Sequence, residues 1–321
     1  MNSSIKDLTK IILSYENVII AGHVNPDADA VGSCLALGLF LKGIGKNVKV
    51  LLEDYNEKYN IINGSELIFK GDLEKLENGL FIALDSGDKR RLGKFTDIFD
   101  NAEKTMVIDH HISNDYYGDY NFVDAKAAAT CEIIYKLLSE MGEISKEIAE
   151  NIYAGIITDT GGLKHRSTTP ETFDIVASLI KKGINFTEIY NEVFFVKSMI
   201  EHTIFSKIIA NIEFVEGYPL AYAFIDRKTL EKVGATQKDL DGITEYINNI
   251  RGIEAALFVY ELEDGNKLSF RSKNLDVSKI AKSLGGGGHV NAAGASKRGN
   301  SLEIIEMVID LIKNEMDEHG Y

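Results

Sequence analysis

No apolar run in this chain comes near the roughly 20 residues that a helix needs to cross a bilayer; the longest, such as 18–21 and 255–260, are only a few residues long. A membrane-spanning role is excluded on that ground. Cysteine is nearly as scarce. Cys34 and Cys131, the two in the chain, stand in separate helix-patterned segments without a close-spaced partner. That rules out a disulfide framework and a thiolate metal site, and leaves both as buried packing residues. Positive charge is in deficit as well: the net charge is −14. A coat on long duplex nucleic acid draws its affinity from Lys and Arg against phosphates, so any nucleic acid bound here is expected to be short and held locally. The first residues lack the charged start and apolar stretch of a secretory signal. A cytoplasmic protein with no membrane partner is expected.

What the chain does have is length for two cores, with 321 residues of which 45% are hydrophobic. Its first half alternates β-branched runs at 18–22, 48–52, 80–85 and 105–109 with helix-period stretches at 30–41, 130–141 and 145–158. This is the α/β pattern of a mostly parallel sheet covered by helices. The first domain is expected over 1–186. A stretch at 186–214 without Gly or Pro reads as one long helix, so 187–214 is taken as a helical linker, ended by Glu216-Gly-Tyr-Pro219. A smaller α/β domain is expected over 215–321, with strands at 220–226, 255–261 and 267–271, helices at 237–250, 277–284 and 302–316, and a hairpin turn at Asp264-Gly265. A cleft between the two domains is part of this expectation.

Four segments end apolar runs on titratable side chains. His23, Asp27 and Asp29 lie within seven residues after the first strand, and Pro26 keeps the preceding backbone extended so that the turn can aim them together. A helix cap accounts for one carboxylate, Asp29, and leaves His23 and Asp27 idle. Asp85 ends the third strand, which alone is a common way to begin a turn. Asp109-His110-His111 ends the fourth, and two adjacent imidazoles after a carboxylate are harder to assign to packing. Asp159 closes a helix-patterned segment before Gly161-Gly162.

Strands that end this way deliver polar groups to the carboxyl edge of an α/β sheet, where such sheets bind ligands. So many carboxylates in one place repel one another unless cations compensate them. Two divalent metal ions meet that need. Mixed imidazole and carboxylate donors without thiolate suit Mn²⁺, Fe²⁺, Co²⁺ or Zn²⁺ better than Ca²⁺, with Mn²⁺ favoured by availability. A pair about 3.5–4 Å apart is the arrangement that hydrolyses phosphate esters.

The stretch 264–300 reverses the overall charge, with Lys267, Arg271, Lys273, Lys279, Lys282, Lys297 and Arg298 against Asp264 and Asp276. An anionic ligand is expected there. Within it, Gly287 and Gly288 belong to a glycine run leading into His289 and Asn291. Residues without Cβ let backbone N–H groups approach a phosphate, and a helix beginning near His289 would add its positive end. A flexible linker is the plain alternative. Arg271, beside Ser272, is the candidate for a bidentate phosphate or base contact, against the plain reading of a solvated strand-end arginine. Arg91, shortly after Asp85, is a weaker candidate.

Taken in order, these motifs resemble those of the DHH phosphoesterases, named for the triplet standing here as Asp109-His110-His111. The resemblance spans nearly the whole chain: His23-Val-Asn-Pro-Asp27-Ala-Asp29-Ala, Asp85, Asp109-His110-His111 and Asp159-Thr-Gly-Gly, then the glycine motif up to Gly294 of the family's associated C-terminal domain. It implies one metal on His23, Asp27 and Asp85, and a second on Asp29, Asp85, His110 and Asp159, with Asp85 shared. Asp109 is implied as the partner that orients an imidazole, and His111 as the group for the reacting phosphate or leaving group.

Length and motif set are similar to the stand-alone nano-RNase and phosphoadenosine phosphatase branch. That implies removal of mononucleotides from short RNA and dephosphorylation of 3′-phosphoadenosine 5′-phosphate, with cyclic or linear dinucleotides as alternative substrates. Family II inorganic pyrophosphatases share the first motifs but not the glycine motif. From a different class, a non-catalytic nucleotide sensor on the same scaffold is the other rival. The oligomeric state is left open, a homodimer among the states allowed.

Overall fold

The computed structural model describes residues 3–72 and 79–321, and the chain falls into two compact units, 1–196 and 197–321. Among the described residues the first unit contains helices α1 (Ile5–Ser14), α2 (Ala28–Gly43), α3 (Thr96–Asp100), α4 (Thr130–Met141), α5 (Lys146–Asp159), α6 (Pro170–Ile180) and α7 (Phe186–Phe194). Its strands are β1 (Asn17–Ala21), β2 (Asn47–Leu51), β3 (Leu80–Leu84), β4 (Lys104–Asp109) and β5 (Tyr120–Val123). All pair in parallel, in the order β2-β1-β3-β4-β5. The sheet is therefore wholly parallel rather than mostly so.

Parallel strands buried on both faces read as continuous apolar runs, and Leu80–Leu84 is buried at every position. Alternate residues serve two cores. Val18, Ile20, Ile82 and Ile108 pack with α2, α4 and α5, whereas Ile19, Phe81, Ala83 and Val107 pack against Leu92, Phe95 and Phe99. Helix α2 is buried on nearly every side. It lies close to α5 because Gly32 permits it: a Cβ there would stand 2.6 Å from the Asn151 carbonyl.

The expected continuous helix at 186–214 is divided. It comprises α7, then α8 (Met199–Ile209), then strand β6 (Glu213–Phe214). The physical reason is local: Ser198 and Glu201 form a reciprocal capping box that starts a new helix. Helix α7 packs through Ile189 and Val193 in the first unit, and α8 through Ile204 and Ile208 in the second.

The second unit continues with β7 (Leu220–Ile225), α9 (Arg227–Val233), α10 (Ile243–Asn248), β8 (Ala255–Leu262), β9 (Gly265–Ser272), α11 (Val277–Ser283), β10 (Gly287–His289), β11 (Ala292–Lys297) and α12 (Ser301–Glu318). The sheet order is β10-β11-β9-β8-β7-β6, with β7 and β8 parallel and the other pairs antiparallel. Gly242, at φ +81°, interrupts the single helix expected over 237–250. No helix among the described residues is long and apolar enough to cross a membrane.

Candidate metal centre

The strand order places β1 and β3 side by side with connections leaving in opposite directions, the position where open α/β sheets bind ligands at their carboxyl ends. His23 follows β1, Asp85 follows β3, and Asp109 ends β4. The structure brings these residues together with Asp27, Asp29, His110, His111 and Asp159. Three groups, Asp85-His110-His111, His23-Asp27-Asp85 and Asp29-His110-Asp159, each offer ligand atoms within 4.8 Å of one another.

Each side chain is oriented by the local fold. The His23 Nδ1–H donates to the Val24 carbonyl at 2.7 Å, which turns Nε2 toward Asp85 Oδ2 at 3.5 Å and Asp27 Oδ2 at 3.7 Å. The Val24 N–H in turn donates to the main-chain carbonyl of Arg91 at 2.7 Å. Arg91 thus contributes to the site through its backbone carbonyl.

Asp27, not Asp29, caps α2. Its Oδ1 accepts from the N–H groups of Asp29 and Ala30 at 3.0 and 3.1 Å, leaving Oδ2 toward His23. The cap expected at Asp29 falls two residues earlier because the helix already begins at Ala28. Asp29 is instead buried against another helix end: Oδ2 accepts from the Thr130 N–H at 2.6 Å and Oδ1 from the Cys131 N–H at 2.9 Å. Backbone donors at the start of α4 hold that negative charge.

Asp85 sits at φ +54°, a left-handed conformation that Asp tolerates better than most residues. Its Oδ1 accepts from the Thr130 hydroxyl at 3.0 Å and faces His110 Nε2 and His111 Nδ1, both at 3.6 Å, while Oδ2 faces His23. The two oxygens of one carboxylate therefore address two sets of groups. His110 Nδ1–H donates to the Ala127 carbonyl at 3.3 Å, and its Nε2 lies 3.2 Å from Asp159 Oδ2. Asp159 is the last residue of α5.

Asp109 is fully buried and meets the cluster through His111. It accepts from His111 Nδ1–H at 2.7 Å, from the His110 N–H at 2.9 Å and from Asn114 Nδ2 at 2.6 Å. It holds the following imidazole in place. Sequence reasoning missed Asn114, Thr130 and the Ala127 carbonyl; of these, only Thr130 had a signal, a hydroxyl at the first position of a predicted helix.

Burial and close opposite charges compete at each of these groups. Burial pulls the His23 imidazole down, but Asp27 and Asp85 outweigh it and push it up to about 10. Burial is likewise overcome at His110, where Asp159, Asp29 and Asp85 raise it to about 10. Burial pushes Asp159 up to about 6 despite its bond to His110, and burial with the charges of Asp85 and Asp159 lifts Asp29 well above the usual range. His111 is raised first by its bond to Asp109. Carboxylates that resist ionising together, beside imidazoles whose Nδ1 is tied to a carbonyl, form a donor set that divalent cations fit.

The glycine-rich segment departs from expectation. It forms the hairpin β10-β11 rather than a loop opening a helix at His289. Close strand approach explains the glycines: a Cβ on Gly286 would stand 2.1 Å from the Gly294 carbonyl, and Gly288, at φ +143°, pairs with Ala293. The register aligns His289 with Ala292, and Ala292 with Arg271, so Gly287, Gly288 and His289 on β10 are separated from Arg271 on β9 by the intervening strand β11. Arg271, Lys267 and Ser269 line an open groove of about 270 Å³ with Thr244, Glu245 and Tyr260. Ser272 is buried on the other side of β9, its hydroxyl donating to the Leu275 carbonyl. Asn291 donates to the Lys273 carbonyl at 2.9 Å. Neither is brought into the Arg271 groove.

Comparison with known proteins agrees with both units. Residues 17–156 match the DHH family, N-terminal domain, and residues 217–316 match the DHHA1 domain. The chain is 32% identical over 303 residues to the bifunctional oligoribonuclease and PAP phosphatase NrnA of Bacillus subtilis, covering 90% of this chain and 92% of that one. It is also 32% identical over 309 residues to the protein of the same name from Thermus thermophilus, covering 95% and 91%. An exopolyphosphatase-related protein from Bacteroides fragilis superposes with a TM-score of 0.88 at 26% identity, covering 98% of this chain and 96% of that one. The chain belongs to the DHH family and carries a DHHA1 domain as its second unit.

Proposed function

We propose that the chain is a two-metal phosphoesterase that hydrolyses short oligoribonucleotides to mononucleotides and dephosphorylates 3′-phosphoadenosine 5′-phosphate. The observation that carries this reading is Asp85, whose two oxygens face His23 on one side and His110 on the other. On this reading His23, Asp27 and Asp85 hold one ion, and Asp29, Asp85, His110 and Asp159 the second. The donor set favours Mn²⁺. Bound there, two divalent ions would supply Lewis acidity toward a phosphate ester and would lower the pKa of water, so that hydroxide is available as the nucleophile near neutral pH.

The chain's own residues do the rest. Nδ1–H bonds from His23 and His110 to backbone carbonyls leave each Nε2 as the donor atom. The His111 Nδ1–H bond to Asp109 orients the ring and raises its pKa above the ordinary value, which favours a role in donating a proton to the departing oxygen. On the second unit, Arg271 and Lys267 of β9 are the cationic groups of a groove also lined by Asp241 and Glu245, and Arg271 is the candidate contact for an anionic part of a nucleotide. The substrate choice is supported by the two relatives named for these activities.

Rates on dinucleotide RNA, phosphoadenosine phosphate, cyclic dinucleotides and pyrophosphate, measured side by side with Mn²⁺, test this directly. Turnover is expected to be fastest on the first two. A pyrophosphate rate far above that on dinucleotide RNA would overturn the substrate assignment. No turnover of any phosphodiester at full metal occupancy would favour a nucleotide sensor.

A further inference from the structure

The start of α4 touches three of the proposed ligands at once. The Thr130 and Cys131 N–H groups take both oxygens of Asp29, at 2.6 and 2.9 Å. The Thr130 hydroxyl donates to Asp85 Oδ1 at 3.0 Å. Just before the helix, the Ala127 carbonyl receives His110 Nδ1–H. Glu132, buried in the first turn of α4, accepts from the Ala128 N–H at 3.1 Å and so fixes the turn that presents these groups. Thr130 itself is fully buried.

We propose that Thr130 is a positioning residue for the metal centre: its hydroxyl sets the rotation of the Asp85 carboxylate, so that Oδ1 faces His110 and Oδ2 faces His23. The inference rests on the two-metal reading given above. Its logic is geometric. The Asp85 oxygens lie 3.5–3.6 Å from the imidazoles, beyond the usual hydrogen-bond length. The Thr130 bond is at hydrogen-bond length. Because the same residue's N–H holds Asp29, one side chain and its own amide fix the separation of two carboxylates that belong to different strands and helices.

The test is Mn²⁺ binding by calorimetry to the full chain and to Thr130→Val, Thr130→Ala and Thr130→Ser. Val keeps the shape and the backbone N–H while removing the donor; Ala removes the donor with no steric demand, so at least one of the two is expected to fold. Loss of an outer partner of a metal ligand typically weakens affinity by about 10–100-fold. That loss is expected for Val and Ala, with Ser close to wild type. At saturating Mn²⁺ the substrate KM should be unchanged in all three. Wild type binding no divalent ion would sink the two-metal reading itself. Wild type binding two ions, with Val or Ala of unchanged affinity, would sink the role of Thr130 alone. A weak Ser variant beside a Val variant near wild type would assign the effect to packing of the methyl group and would also overturn the proposal.

Discussion

Gly155 on α5 lies directly against Asp29 on α2: a Cβ at Gly155 would stand 2.8 Å from Asp29 Oδ1 and 2.3 Å from Cys131 Sγ. The helices can approach this closely only because the position carries no side chain. Gly155→Ala therefore pushes on a carboxylate held by two backbone donors, and on the start of the helix that supplies them. Overpacking of this kind costs about 1–3 kcal/mol. The melting temperature is expected to fall, and Mn²⁺ affinity with it; unchanged affinity would show that the contact does not hold Asp29 in register.

Asp85 gives a cleaner separation of charge from conformation. Asn tolerates the left-handed backbone at φ +54° nearly as well as Asp, so Asp85→Asn removes the negative charge and leaves the chain path intact. Turnover is expected to fall at least ~100-fold, the scale for losing one preorganised electrostatic group, with little change in melting temperature of the metal-stripped protein. Asp85→Ala should lose turnover equally and keep the fold, with additional strain from the positive φ. Substantial activity in either variant, measured at saturating Mn²⁺, would count against a shared ligand.

The strand-end residues of the candidate site were readable because each follows an apolar run. His23, Asp85 and Asp109 stand where β1, β3 and β4 end; one such Asp is an ordinary turn residue, but several at the same edge of a sheet, two of them beside imidazoles, are not explained by turns. The supporting groups were not readable. Asn114 and the Ala127 carbonyl act through contacts that exist only once β4, β5 and α4 have packed. The hairpin β10-β11 was hidden for a related reason: its glycines serve pairing with Ala293 and Gly294, a non-local need that a glycine run does not announce. The break between α7 and α8 was the opposite case. Ser198 and Glu201 carry a capping box in plain sight, overridden by the absence of Gly and Pro from the stretch.

The raised imidazoles make the metal-stripped protein sensitive to pH in a direction that can be worked out. His23 and His110 are pushed up to about 10 from an ordinary value of about 6.5. A raised value contributes stability that is fully present below about pH 6.5 and lost as pH rises toward the folded value. Asp159, raised to about 6 by burial, adds a loss in the same direction at lower pH. Metal-stripped protein is therefore expected to melt at progressively lower temperature from about pH 6 to about pH 9. Mn²⁺ replaces those protons, so the gap between saturated and stripped melting temperatures should widen over the same range, and binding near neutral pH should release protons. A constant gap would mean that these imidazoles are neutral before metal arrives.

Arg271 tests the second unit independently of the metals. Its guanidinium carries five donors, and Nη1 is spent on the Phe270 carbonyl at 3.2 Å, which anchors the side chain along β9 beside Lys267 and Ser269. If this face holds an anionic part of the substrate, Arg271→Ala removes a charge-assisted bond worth about 1.5–3 kcal/mol. KM is then expected to rise by roughly tenfold or more, since each 1.4 kcal/mol is a factor of ten, while kcat and the Mn²⁺ stoichiometry stay as in wild type. Arg271→Lys should fall between the two, because an ammonium keeps the charge and loses the planar fork. Unchanged KM in the alanine variant would remove Arg271 from the substrate site. A loss confined to kcat would point instead to a role in the chemical step that its place in the second unit's sheet does not anticipate.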